Sequence, residues 1–157
     1  MEPRIEILEP KKLIGMRMKM TFARNRTVEL WRQFMPRSAE VRARLTPEYI
    51  SMQIFEDLDD RGFLPDTRFE KWAVVEVARQ DAVPEGMEAY TLAGGKYAAF
   101  LHEGPASAAP KTFGYIFDTW LPGSEYALDH REHFEILPEN YRADDPDARE
   151  EVWIPIR

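Results

Sequence analysis

The same succession of residue types runs through this chain twice, so any fold it adopts must accommodate two like units. Leu30-Trp31-Arg32-Gln33-Phe34-Met35-Pro36 is echoed by Phe117-Asp118-Thr119-Trp120-Leu121-Pro122, an apolar helical face closed by proline. Farther along each half, acidic residues precede a tryptophan and a β-prone run: Phe69-Glu70-Lys71-Trp72-Ala73-Val74-Val75, then Glu150-Glu151-Val152-Trp153-Ile154-Pro155-Ile156. Each half reads as a helix followed by strands, over about residues 1–80 and about residues 85–157. Two such units leave a cleft where they meet, and Glu135 falls near it.

Hydrophobic periodicity fills in the elements. Arg4 to Glu9 and Leu13 to Met20 alternate as half-buried strands do. Thr27 is placed to cap a short helix with Val28, Trp31, Phe34 and Met35 on one face, ended by Pro36, and Ser38 to cap a second helical piece reaching Leu45. Tyr49 to Phe55 and Trp72 to Val77 return to period two, with the acidic loop Glu56 to Gly62 between them. In the second half, strands are expected at Glu88 to Leu92, Tyr97 to His102, Glu132 to Leu137 and Glu150 to Ile156. Ala109 to Leu121 reads as a helix that tolerates Pro110 in its first turn and stops at Pro122-Gly123.

That order fits an α+β fold with a mostly antiparallel sheet and both main helices on one face. At 157 residues and 44% hydrophobic, the chain can bury one core, which argues for a single domain spanning 1–157. Strand alternation then assigns the faces. Ala73, Val75 and Val77 toward the helices send Trp72, Val74 and Glu76 to the other side, and Val152, Ile154 and Ile156 inward leave Trp153 there too. Taking Phe134, Ile136, Ile50, Met52 and Ile54 as helix-facing puts His133, Glu135, Tyr49, Gln53 and Phe55 on the far face. Two tryptophans, further aromatics and carboxylates gathered away from the helices predict a ligand groove on that face.

Several function classes are excluded by residue type. The absence of cysteine removes disulfides, thiolate metal sites and a cysteine nucleophile. A net charge of −7 repels a phosphate backbone, so direct nucleic-acid binding is not expected. The charged start Met1-Glu2-Pro3-Arg4-Ile5-Glu6 is unlike a signal peptide and no apolar run reaches membrane-spanning length, so a cytoplasmic location and no membrane partner are expected. His130 and His133, in an extended segment, point to opposite faces, so no metal site is predicted, and no glycine loop or nucleophile-base motif calls for a cofactor.

The combination of Phe69-Glu70-Lys71-Trp72-Ala73-Val74-Val75-Glu76-Val77, Gly95-Lys96-Tyr97-Ala98-Ala99-Phe100-Leu101-His102-Glu103-Gly104, Trp120-Leu121-Pro122-Gly123-Ser124-Glu125-Tyr126, His133-Phe134-Glu135 and Trp153-Ile154-Pro155-Ile156 resembles the GyrI-like small-molecule-binding family, also seen as the effector-binding domain of AraC-type and multidrug-sensing regulators. The resemblance implies paired βαββ modules about a pseudo-twofold axis with the ligand between them. It also implies that the pocket glutamate is Glu135, that the tryptophan-bearing strand supplies Trp72 and Glu76, and that the glycine-tyrosine strand supplies Tyr97. With no helix-turn-helix segment in the sequence, a stand-alone member is expected, to which the transcription-regulator role does not carry over.

Three functions follow as expectations. The first is capture of hydrophobic, often cationic compounds, because a carboxylate among aromatic walls needs a cation or donor to offset its desolvation. Glu135, Trp72, Trp153, Tyr97, Tyr49 and Phe55 are the binding residues in this reading, with Glu76 either a second pocket acid or an edge charge. The second, implied by the resemblance, is hydrolysis of cyclopropanoid genotoxins with Glu135 activating water. An interaction with DNA gyrase ranks last, since no dense acidic stripe imitates nucleic acid.

Overall fold

The computed structural model describes every residue except Asp57, Asp59, Asp60 and Arg61, which belong to the acidic segment expected as a loop and so lie outside the described residues. In chain order the elements are β1 (Arg4–Leu8), β2 (Lys11–Thr21), α1 (Thr27–Phe34), β3 (Tyr49–Phe55), β4 (Arg68–Val77), β5 (Glu88–Leu92), β6 (Gly95–Glu103), α2 (Ala109–Tyr115), α3 (Leu121–Gly123), β7 (His133–Leu137) and β8 (Arg149–Pro155). The helix expected over Ala109 to Leu121 runs without a break but opens into a π turn at Ile116–Trp120 between α2 and α3. Thr27 is the first residue of α1 rather than its cap, and its N–H donates to the Asn25 side-chain oxygen at 2.9 Å. Beyond Pro36 the chain makes only a 3-10 turn, Met35–Glu40, in which the Ser38 hydroxyl donates back to the Met35 carbonyl instead of capping a new helix.

Among the described residues, eight strands join one antiparallel sheet in the order β1-β6-β8-β7-β3-β4-β2-β5. Read outward from the centre, β3, β4, β2 and β5 mirror β7, β8, β6 and β1, so the two halves of the chain are laid out alike and each lends its first strand to the other. The links are too short for a flat sheet. β1 and β2 stand six places apart, as do β5 and β6. Flat, that would be about 29 Å at the usual strand spacing, whereas the steps Leu8 to Lys11 and Leu92 to Gly95 can each reach only about 11 Å. The sheet must therefore curl until its edges approach.

Curling creates an inner face that needs no helix to cover it. Trp72, Met52, Phe134, Trp153, Tyr97 and Leu13 form one buried cluster there, joined by Leu8 and Leu92 from the edge strands. Phe134 stacks on Trp153 at 5.4 Å between ring centres, and Trp72 meets Tyr90 at 5.2 Å. The outer face carries the helices. Leu30 and Phe34 of α1 pack on Ile14, Ala73, Val75 and Val77, and Ile116 packs on Ala98, Phe100, Val152, Ile154 and Ile156. These are the helix-facing residues predicted for β4 and β8.

The repeated glutamate and tryptophan now have a structural meaning. The indole N–H of Trp72 donates to Glu70 at 2.7 Å and that of Trp153 to Glu151 at 3.3 Å. Arg17 pairs with Glu70 and lies over Trp72, while Arg4 pairs with Glu151 and lies over Trp153, with guanidinium-to-ring distances of 5.8 and 5.9 Å. The glutamate and tryptophan of each half thus meet an arginine of the first half, Arg17 from β2 on Trp72 and Arg4 from the lent strand β1 on Trp153.

Arg131 ties the closure together. It donates to the carbonyls of Gly94 (3.0 Å), Ile156 (3.2 Å) and Lys96, pairs with Asp129 at 2.7 Å, and lies 4.7 Å from the Tyr97 ring centre. Gly94 and Gly95, at φ +86° and +123°, make this approach possible: a Cβ on Gly94 would stand 2.4 Å from the Leu8 carbonyl oxygen and one on Gly95 2.8 Å from Arg131 Nη1. Arg131→Met is expected to cost about 3 kcal/mol in urea denaturation, because two part-buried carbonyls and an exposed one lose a charged donor. Lysine should restore little of it, lacking the planar fork. Among the described residues, no helix is long and apolar enough to cross a membrane.

Candidate functional site

The helices sit over opposite halves of the outer face and leave the middle bare. α1 packs on the β2 and β4 side, and the helical segment after Pro105 packs on β6 and β8. Between them the central strands β3 and β7 form the floor of a groove. Register decides which side chains that floor presents. Glu135 lies opposite Ser51 on one side and Val152 on the other, and Gln53 lies opposite Lys71 and His133. Since Val152 packs under the helices, Glu135 and Ser51 share that face, and period two brings Gln53, His133, Lys71 and Glu150 onto it as well.

The groove has two lobes, of about 810 and 790 Å³, which share Asn25, Thr27, Lys71, Ala109, Phe113 and Glu135 and therefore meet at the polar floor. These volumes are within the range of small-molecule sites. One lobe is walled by Val28, Trp31 and Met35 of the first helical segment, and by Tyr49, Leu137 and Tyr141. The other is lined by phenylalanines: Phe22 lies 4.8 Å from Phe69, Phe63 lies 5.1 Å from Phe55 and 4.7 Å from Phe117.

Burial controls the charges on the floor. Desolvation raises the Glu135 carboxyl to about 7, and nearby Glu150 pushes the same way, against Lys71 and a 3.3 Å hydrogen bond donated by Gln53. The Lys71 ammonium is lowered by burial, opposed by the fields of Glu135 and Glu150. His133, buried among Phe55, Phe63 and Phe117 and repelled by Arg131, falls to about 3 and is a neutral wall of the site at ordinary pH. Tyr141 is raised by burial and by Glu150. A carboxyl that titrates near neutrality, a desolvated ammonium and flat aromatic walls can hold an amphipathic organic molecule or direct a proton.

Of the residues singled out from sequence, Glu135, Tyr49 and Phe55 come together here. Trp72, Trp153 and Tyr97 do not: they fill the inner face, where the Tyr97 hydroxyl donates to the Glu132 carbonyl at 2.8 Å. Glu76 also lies off the groove, pairing with Lys11 of β2 at 3.3 Å. The groove expected on the helix-free face is instead on the helix-bearing one, and the faces assigned to β3 and β7 are reversed. The cause is the curl. With the inner face closed, Ile50, Met52 and Phe134 find their apolar surroundings away from the helices, and Tyr49, Ser51, Gln53, His133 and Glu135 turn toward them.

Gln53, expected on the groove face, lines the groove with its amide on Glu135, whereas Lys71, Glu150, Trp31, Phe113 and Tyr141 line it without having been expected there. One of them had a signal. Lys71 is two positions before Ala73, so the alternation that sent Ala73 and Val75 to the helices sent a lysine there as well, and a charge on a buried face calls for an explanation.

Comparison with known proteins agrees with this architecture. Over 131 residues, 82% of this chain, the sequence is 30% identical to the transcriptional regulator BrlR of Pseudomonas aeruginosa, of which the match covers 45%; the chain spans less than half the length of that relative. The structure of SAV2435 bound to tetraphenylphosphonium superposes with a TM-score of 0.75 at 15% identity, covering 100% of this chain and 94% of that one. A hydrolase encoded by lin2189 from Listeria innocua does so with a TM-score of 0.62 at 13% identity, covering 99% and 92%. At such identities these two likenesses speak to the fold. The model of the GyrI-like small molecule binding domain matches residues 1–157, and with that match over its whole length the chain belongs to the GyrI-like small-molecule-binding family.

Proposed function

We propose that the groove between the helices captures hydrophobic, often cationic organic compounds, with Glu135 as the anionic anchor and the aromatic side chains as walls, and so serves multidrug binding, sensing or tolerance. One observation carries the reading: a carboxyl whose ionisation is held back to about pH 7 lies at the junction of two apolar lobes, with Gln53 its hydrogen-bond partner among the described residues. An incoming cation supplies the field that such a carboxylate lacks, and gains from the rings a surface that water cannot offer. Tetraphenylphosphonium, the compound bound to SAV2435, is a suitable probe.

Trp31 is the tryptophan that lines the groove among the described residues; Trp72, Trp120 and Trp153 belong to packed clusters. Titration with tetraphenylphosphonium should therefore quench fluorescence, and Trp31→Phe should remove most of the change while calorimetry still records binding. Quenching that survives intact in Trp31→Phe, or no heat of binding in either protein, would count against the site.

A second reading is hydrolysis of cyclopropanoid genotoxins. Its support is the same Glu135, since a carboxyl titrating near 7 is matched to general-base work at physiological pH. Mass spectrometry of a cyclopropanoid alkylator incubated with the protein would show a ring-opened, water-added product that Glu135→Gln fails to form. Binding without turnover would leave capture alone.

A further inference from the structure

Resting on the capture reading above, we propose that Lys71 is a ligand-contacting residue that makes the groove select amphoteric compounds, those carrying an anionic or strongly accepting oxygen beside their cationic group, over simple lipophilic cations.

The internal symmetry of the fold provides the first argument. Glu70-Lys71-Trp72 on β4 and Glu151-Val152-Trp153 on β8 occupy equivalent places, each with its indole N–H on its glutamate. Met52 opposite Trp72 and Phe134 opposite Trp153 complete the match, and these two face each other across β3 and β7. The partner of Lys71 in this symmetry is therefore Val152, 1% exposed and packed under the second helical segment. The same architecture is built with valine in one half and lysine in the other, so closing the sheet does not require an ammonium at this position.

The surroundings of Lys71 provide the second. The residue is 9% exposed and lines both lobes. Among the described residues, its Nζ has no carboxylate within 4 Å and no hydrogen-bond acceptor, and it opens onto the groove. Glu135 and Glu150 reach it only through their fields, and Gln53, opposite it in the sheet, spends its amide on Glu135. A desolvated ammonium with open donors is costly to keep, and the remaining space around it is the space a ligand would fill. An acceptor oxygen on the ligand would satisfy Lys71 while the cationic part meets Glu135. A cation without that oxygen meets Lys71 as a like charge.

A matched pair of dyes separates these cases: a rhodamine with a free benzoate, and its methyl ester, which share one cationic ring system and differ in the carboxylate. Wild type should bind the free acid about tenfold tighter than the ester. Lys71→Val, which copies the residue of the other half, should abolish or invert the preference, and it should bind tetraphenylphosphonium more tightly than wild type does. Lys71→Arg should keep the preference for the acid. The wild-type ratio needs no variant to fold, and thermal melts report whether Lys71→Val is intact. Equal or tighter binding of the ester by wild type, or an unchanged ratio in a folded Lys71→Val, overturns the role of Lys71 while leaving capture standing. Failure of wild type to bind either dye or tetraphenylphosphonium overturns the capture reading, and this inference with it.

Discussion

Glu135→Gln is expected to weaken binding of tetraphenylphosphonium by about tenfold or more while making the free protein more stable at alkaline pH. Both effects come from the same burial. The folded protein holds the Glu135 carboxyl up at about 7, well above the ordinary carboxylate range, because ionising it on the floor of the groove costs hydration. A group raised in this way stabilises the fold fully below its unfolded pKa, and the contribution is lost as pH rises through about 7. At pH 8 glutamine avoids that loss, which is worth about 2 kcal/mol, or about 5 °C in midpoint, after allowing for the charge that Lys71 loses as a neighbour. At pH 4, with the carboxyl protonated, the two proteins should melt together. Binding runs in the opposite direction. Cation affinity of wild type should climb between about pH 6 and 8 as the carboxylate forms, and the glutamine variant should show no such climb. Thermal melts and calorimetric titrations at the same series of pH values measure both. If the variant is neither stabilised at pH 8 nor impaired in binding, Glu135 is not a desolvated anchor.

Phe134→Ala should have the largest effect on the fold, about 4 kcal/mol in denaturant unfolding. Phe134 is fully buried on the inner face, stacked on Trp153 and edge-on to Tyr97 at 5.3 Å, in the cluster to which every strand contributes. The closed sheet has no helix there to relax into the void, so the cavity should persist. Because Phe134 and Glu135 point to opposite faces, what remains folded should bind tetraphenylphosphonium with close to wild-type affinity. The same logic applies to Trp72→Phe and Trp153→Phe: melting temperature should move and affinity should not. A loss of affinity at unchanged stability in either tryptophan variant would return these residues to the ligand site, as sequence reasoning first had them.

Much of the fold was legible because it is written locally. Alternation in β2 and β4, the apolar stripes of the helical segments and the stops at Pro36 and Pro122 are short-range patterns, and the structure forms elements where they stand. Its departures are also local in cause, such as helix α1 starting at Thr27 itself, with the Asn25 side-chain oxygen accepting from the Thr27 N–H. The helix-facing sides of β4 and β8 were correctly read because runs such as Ala73, Val75 and Val77 are apolar on a face that a helix does cover.

The site was half legible. Glu135 stood out as a carboxyl within a strand, and Tyr49 and Phe55 line the same groove, whereas Trp72, Trp153 and Tyr97 lie on the inner face. In Tyr49-Ile50-Ser51-Met52-Gln53-Ile54-Phe55 and His133-Phe134-Glu135-Ile136-Leu137, the more apolar set was assigned to the helices, on the assumption that the covered face is the dry one. Here the dry face is the one without helices. Lys71 was passed over for the complementary reason: it sits on a helix-bearing face that opens, just there, into the groove.

Residue order alone established the doubled α+β pattern, most of its strands and helical segments, and an acid near the meeting of the halves, because periodicity and stop signals are local and the second half repeats those of the first. The curl of the sheet settled the rest. Pairing β1 with β6 and β5 with β2 across half the chain forces the edges together, gives the tryptophans a closed interior of their own, and turns Glu135 outward to the gap between the helices. That closure is a long-range pairing, and a strand's own alternation cannot say which of its two faces the rest of the chain will seal.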